Sequence, residues 1–388
     1  MKTERRGPRP RTAWVVLVGL LVAACGPAAS VPATPAAAGS AAAAPATAAA
    51  VAGAGVPAAV APVAAAPSTP PERVPLKVAV QGRPDQAHLQ LALDRGYFTA
   101  QGLDVETVQI TSGAEMVPAL ATNQIQVGNG APSAALYNAL ARDVDIRLVA
   151  DYAHVGPPTD TVLAILVRKD LWDSGTVRSL ADLKDGRVFA AGTVPGTVSD
   201  LLYNKALAKE GISGDGIQMQ YMPIPDVYAA LANGRIDAGT LTEPLTTQAV
   251  QQGIATVLYP AGAVIPGAIL SVLQYSPQFA AEQPDAATRF MVGYLQGVRD
   301  YYDAFVLQKD RDAAIDTLMQ SLAPKDRRMW ETAHYMSTDQ NGAVDVNDLR
   351  SSAEFYLQHG DFGGPIPDFA KFIDTRFAEA AVQILGRR

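Results

Sequence analysis

The sequence predicts an α/β protein of two lobes with mainly parallel sheets, joined by a two-crossing hinge and followed by a helical C-terminal part. Three observations lead there. From about residue 74, short apolar strand patterns alternate with helical ones, the signature of βαβ units. The alternation stops at the proline-marked stretch HVGPPTD (154–160), restarts, and stops again at PAGAVIPG (260–267), so the chain leaves one α/β set for a second and then returns. Beyond Ser276 the pattern is almost wholly helical. With 388 residues, 48% of them hydrophobic, the chain is long enough to give each lobe a core.

The first 25 residues read as an export signal. Five basic residues between Lys2 and Arg11 precede the uncharged run AWVVLVGLLVAA, which matches a signal-peptide core in length and is short for a membrane span. The run ends in LVAAC, which resembles a bacterial lipobox with Cys25 as the lipidated residue. Residues 26–71 contain no charge and consist almost entirely of Ala, Pro, Val, Gly, Ser and Thr, a composition that specifies no core and suits a tether.

The folded part begins with the strand LKVAV (76–80) and a helix over DQAHLQLALDRGYFTAQG (85–102). The strand LDVETVQI, the helix AEMVPALATNQ, the strand IQVGNG, the helix APSAALYNALARD with Pro132 in its first turn, and the strand IRLVADY complete a first set. The second set runs through the strands TVLAILVRK, RVFAAG, IQMQYM, IDAGTL and ATVLY, with helices over VSDLLYNKALAKEG, DVYAALANG and EPLTTQAVQQG. The strand AILSVLQY then leads into helices such as AATRFMVGYLQGVRDYYDAFV and FAKFIDTRFAEAAVQIL. This gives lobe 1 residues 72–153 plus 268–388, and lobe 2 with the hinge segments residues 154–267.

In such lobes ligands meet the carboxyl ends of the strands, where loops expose N–H groups and helix N-termini. That rule selects Gln81, Gly82, Arg83 and Asp85; Thr111, Ser112 and Gly113; Asn129, Gly130, Ala131 and Pro132; Gly192 to Thr197, with Thr193 and Gly196 among them; and Thr242 with Glu243. Glycines admit a ligand to the backbone, and Ser, Thr, Asn and Gln supply directional hydrogen bonds. Arg83 either pairs an anion of the ligand or pairs Asp85. Glu243 either accepts from a ligand N–H or stabilises the helix that follows Pro244. Tyr152 and Tyr203 either stack on a ring or pack in the core, and His154 is a hinge residue near the cleft.

HLQLALDRGYFTAQGLDVE, ALATNQIQVGNGAPSA, DVYAALANGRIDAGTLTEP and LSVLQYSPQFAAEQPD resemble, in order and spacing, the solute-binding proteins of ABC importers in the family for sulfonates, taurine, nitrate and thiamine-precursor pyrimidines. The resemblance spans about residues 76–305 and implies a bilobal periplasmic-binding-protein fold, no catalysis, no cofactor, and delivery of a small solute to a permease and its ATPase. The lipobox and tether agree with it independently, and the expected protein is a monomer held to the outer face of the cell membrane through the lipid on Cys25. In the pyrimidine-binding members a glutamate matching Glu243 of the TEP segment bonds the aminopyrimidine, so the expected solute is a heteroaromatic nutrient such as that pyrimidine or a flavin. The alternative is an alkanesulfonate, taurine or nitrate.

Other classes find little support. A net charge of -7 argues against nucleic acid as a partner. The four histidines, His88, His154, His334 and His359, lack metal-ligand spacing, and there is no G-x-S-x-G or S-x-x-K motif. An enzyme of thiamine-precursor synthesis shares the family fold but uses a cysteine-rich segment, whereas the one cysteine here lies in the export signal.

Overall fold

A computed structural model describes residues 73–388 apart from 111–112, 193 and 333–335. The export signal, Cys25 and the Ala/Pro-rich tether, together with Thr111, Ser112, Thr193 and His334, therefore lie outside the described residues.

The first lobe contains β1 (Val74–Val80), α1 (Ala87–Asp94), α2 (Tyr97–Ala100), β2 (Leu103–Gln109), α3 (Gly113–Ala121), β3 (Val127–Gly130), α4 (Ala134–Ala141) and β4 (Arg147–His154). The helix expected over 85–102 is two helices, because Gly96 takes a left-handed φ of 71° and turns the chain after one short helix. Pro132 lies outside α4 rather than in its first turn: Ser133 is the N-cap, and its hydroxyl accepts from the Leu136 N–H at 3.4 Å.

The second lobe contains β5 (Leu163–Arg168), α5 (Lys169–Asp173), β6 (Val188–Ala191), α6 (Val198–Glu210), β7 (Gln218–Tyr221), α7 (Ile224–Ala232), β8 (Ala238–Thr242), α8 (Leu245–Gln251), β9 (Ala255–Pro260) and α9 (Ala261–Val264). The chain then returns through β10 (Ile269–Tyr275), α10 (Pro277–Glu282), α11 (Pro284–Phe305), α12 (Arg311–Ser321), α13 (Arg327–Thr332), α14 (Val346–Gln358) and α15 (Arg376–Leu385).

The strands form two five-stranded sheets, β2-β1-β3-β10-β4 and β7-β6-β8-β5-β9. In the first, β10 pairs antiparallel with both β3 and β4, and in the second β5 does the same with β8 and β9. Each sheet is thus mixed in its pairing although four of its five strands run one way. The reversed strands follow from the hinge. β5 is the first strand after the outward crossing and β10 the first after the return, so each enters its sheet from the end where the lobes meet.

The hinge segments, residues 155–162 and 261–268, are laced together by backbone bonds. Val155 N–H donates to Ala268 O at 2.9 Å, Gly267 N–H to Val155 O at 3.0 Å, and Gly262 N–H to Asp160 O at 3.2 Å. The Asp160 carboxylate accepts from Gly156 and Val162 N–H at 2.6 and 2.8 Å, which braces the outward crossing.

The C-terminal helices cover the first lobe. α11 buries Ala286, Ala287, Phe290, Met291, Tyr294, Leu295, Val298 and Tyr301, a three-to-four-residue spacing that turns one face of the helix onto the sheet and α1. α14 lies against α4, where the Tyr137 hydroxyl donates to Leu349 O at 3.0 Å and meets Ser352 Oγ at 2.6 Å.

Candidate ligand-binding cleft

The loop after β1 is held from beneath. Gln81 and Gly82 N–H both donate to Gln86 Oε1, at 2.7 and 3.0 Å, and Gln86 Nε2 donates to Asn129 Oδ1 at 3.2 Å. Asn129 Nδ2 in turn donates to Ser271 Oγ at 3.1 Å. Gln86 and Asn129 are both buried, so Asn129 is spent on joining β3, β10 and the first loop. Arg83 reaches Asp85 through two hydrogen bonds, of 2.7 and 3.3 Å. Of its two expected partners, the structure gives it the carboxylate beside it.

α3 begins at Gly113, at the carboxyl end of β2. After β3, Gly130 leaves room for the Gln274 amide: a Cβ there would lie 2.9 Å from Gln274 Nε2. Gln274 is buried on β10, and its Oε1 has no partner among the described residues.

In the second lobe, Thr197 and Asp200 form a capping box at the start of α6. The Asp200 carboxylate accepts from both the N–H and the hydroxyl of Thr197 at 3.1 Å, and from the Tyr221 hydroxyl at 2.8 Å. Thr197 therefore satisfies the helix end. Gly196, with φ +78°, approaches the other lobe: its carbonyl accepts from Ala134 N–H at 3.0 Å. The glycine that the sequence suggested for close approach of a ligand serves here for close approach of α4.

Thr242 ends β8 opposite Leu163. Glu243, before a cis bond to Pro244, accepts from the Thr161 hydroxyl, the Thr247 N–H and the Thr247 hydroxyl, each at 3.0 Å. It binds the first turn of α8 to the hinge, which is the helix-end role of its two expected ones.

The aromatic candidates are packed away. Tyr152 is 1% exposed, with its ring centroid 4.4 Å from that of His88 and 6.0 Å from that of Tyr294 under α1 and α11. This corrects its expected place at a ligand ring, because β4 turns this side chain into the helix-covered face. Tyr203 lies 4.4 Å from Phe189, and burial pushes its hydroxyl up to about 12. His154 Nδ1 sits 2.8 Å from buried Asp151 Oδ2, which also accepts from Asp339 N–H at 2.7 Å. Burial opposes the charged imidazole, but Asp151 outweighs it and the net effect raises the His154 pKa. Among the described residues no group of three His, Cys, Asp or Glu side chains is arranged to hold a metal.

Sequence reasoning missed Gln86, Gln274, Ala134 and Asp361 as parts of this region. Gln86 was within reach, being a polar residue one position from an expected loop. Asp361 was not, since only the packing of α14 carries it to Gly196.

Two α/β lobes with facing strand-end loops and a double crossing between them define the bilobal periplasmic-binding-protein fold. The chain belongs to the NMT1/THI5-like family, whose model matches residues 83–304. A putative binding protein of Brucella abortus is 27% identical over 220 residues, covering 55% of this chain and 62% of the relative. A putative aliphatic sulfonates-binding protein of Escherichia coli is 28% identical over 154 residues, covering 40% of this chain and 44% of that one.

Solved structures agree on the fold. The alkanesulfonate-binding protein of Xanthomonas axonopodis bound to MOPS superposes with a TM-score of 0.60 at 20% identity, covering 78% of this chain and 99% of its own. The nitrate-binding protein of Synechocystis gives 0.62 at 16% identity, covering 82% and 90%.

Proposed function

We propose that this protein is the extracytoplasmic solute-binding component of an ABC importer, and that its solute is a small oxyanion, an alkanesulfonate or nitrate. The observation that carries the oxyanion is the meeting of helix N-termini from both lobes. α3, α4 and α6 all start at carboxyl ends of strands, and the Ala134–Gly196 hydrogen bond brings the start of α4 against the loop before α6. The positive ends of helix dipoles favour a negatively charged guest.

The heteroaromatic solute expected from the sequence gives way to this alternative. Glu243 is engaged by Thr161 and Thr247, and Tyr152 and Tyr203 are packed against other rings, so the features that favoured a heterocycle act inside the protein. The relatives named for sulfonate and nitrate support the same choice.

On this reading the protein is exported and held at the membrane by lipid on Cys25. It works as a monomer with a permease and its ATPase, and it binds without catalysis. No described helix is long and apolar enough to cross a membrane.

Thermal unfolding with added ligand tests the solute. A ligand at a hundred times its dissociation constant stabilises by about 2.7 kcal/mol, a rise in Tm of roughly 5 °C for a unit of this size. Alkanesulfonates or nitrate are expected to produce it. Stabilisation by thiamine-precursor pyrimidines or flavins, with none by the anions, refutes the oxyanion.

A further inference from the structure

We propose that Gly196, Ala134 and Asp361 form a latch that holds the lobes closed, and that protonation of Asp361 tightens it. The inference concerns the resting equilibrium of the lobes and stands apart from the identity of the solute. Gly196 is the contact point. Its carbonyl accepts from Ala134 N–H at 3.0 Å, and a Cβ at this position would stand 2.5 Å from Ala134 Cβ and 3.1 Å from Asp361 Cβ. Glycine is thus required twice, by the left-handed φ of +78° and by two neighbours from the opposite side of the seam.

Asp361 belongs to the first lobe. Its N–H donates to Tyr356 O at 2.9 Å, while Phe362 and Tyr356 pack with Tyr137 of α4 at centroid distances of 6.1 Å. Asp200 belongs to the second lobe, in the first turn of α6. Closure therefore brings a carboxylate of each lobe to one seam. The groups whose charges reach Asp361 or feel it are Asp200 of α6, His359 at the end of α14, Tyr356 of α14 and Tyr221 of β7.

Burial in the closed state and then the Asp200 charge raise the Asp361 pKa, against a smaller opposing effect of His359. The sign follows. A carboxyl whose pKa is higher in the closed form binds protons better there, so closure strengthens as pH falls through the raised pKa and is fully favoured below the ordinary carboxylate value of about 3.9. Above the raised value, two like charges at the seam oppose closure. The closed-to-open ratio changes about tenfold for each unit separating the two pKa values.

The test uses the full chain carrying Cys25→Ser, with spin labels at Thr107→Cys on β2 and Lys205→Cys on α6, both exposed and on different lobes. Distances are measured without any solute between about pH 8 and about pH 4, from well above the ordinary carboxylate value down to it. The short-distance population is expected to grow as pH falls. Asp361→Asn should keep it large at both ends, and Gly196→Ala should keep it small. A wild-type distribution that ignores pH, or an Asp361→Asn protein that keeps the wild-type response, overturns the proposal. Because no solute is present, a wrong solute class would leave these results unchanged.

Discussion

Gly262 is the residue on which the hinge geometry makes its sharpest demand. It opens the return crossing, and a Cβ added there would stand 2.8 Å from the carbonyl carbon of Pro157 and 3.0 Å from Asp160 N, with the Pro157 carbonyl oxygen closer still. Carbon atoms normally meet at about 3.5 Å or more, and the oxygen is nearer than the carbon, so the two crossings must separate by more than about 0.7 Å. That movement strains two linked hydrogen bonds, Gly262 N–H to Asp160 O at 3.2 Å and Asp160 N–H to Pro157 O at 2.8 Å.

Losing both costs about 2 kcal/mol, and overpacking adds about 1–3 kcal/mol. A stiffer unfolded chain returns about 0.4–1 kcal/mol. The net expectation for Gly262→Ala is a loss of about 3 kcal/mol, or roughly 6 °C in Tm for a protein of this size. Gly363 is the control: its Cβ would meet nothing within 4 Å, so Gly363→Ala should leave Tm unchanged or raise it by about 1 °C. Calorimetry of the two variants decides the matter. Equal Tm values for Gly262→Ala and wild type would refute the account of the crossing.

Glu243→Gln removes the charge from the site shared by Thr161 and Thr247, and should cost about 1–2 kcal/mol in denaturant unfolding. Its affinity for the solute should be unchanged, and a large loss of affinity at unchanged stability would return Glu243 to the ligand. His88 supplies a pH test. Burial lowers its pKa to about 3, and its Nε2 has no partner among the described residues. Between the unfolded value of about 6.5 and that folded value the unfolded chain binds the extra proton, so His88 makes stability fall with falling pH, by up to about 1.4 kcal/mol per unit. His88→Phe should flatten that slope. An NMR titration placing the His88 imidazole near pH 6 would refute the buried neutral ring.

Much of the fold was legible because strands and helices announce themselves by local period. The five strands of the second set and the return strand AILSVLQY appear where the sequence pattern puts them, and the two proline-rich stretches do mark the passages between sheets. The antiparallel placement of β5 and β10 was not legible, since strand direction depends on which end of a sheet the chain enters. The candidate site was legible as a set of loops but not as a set of roles. Thr197 and Glu243 carry side chains suited equally to a ligand and to a helix end, and Tyr152 suits equally a solute ring and a core. Only the neighbours decide between such uses.

The sequence by itself determined the alternation of strands and helices, the two lobes and their double crossing, because periodicity and proline act over a few residues. It also marked Gly196 as a place where something comes close. What comes close was decided by tertiary structure alone: α4 from the other lobe and Asp361 from beyond α14, both far from Gly196 along the chain. Their meeting depends on how two lobes close and how a late helix packs, and neither leaves a local pattern to read.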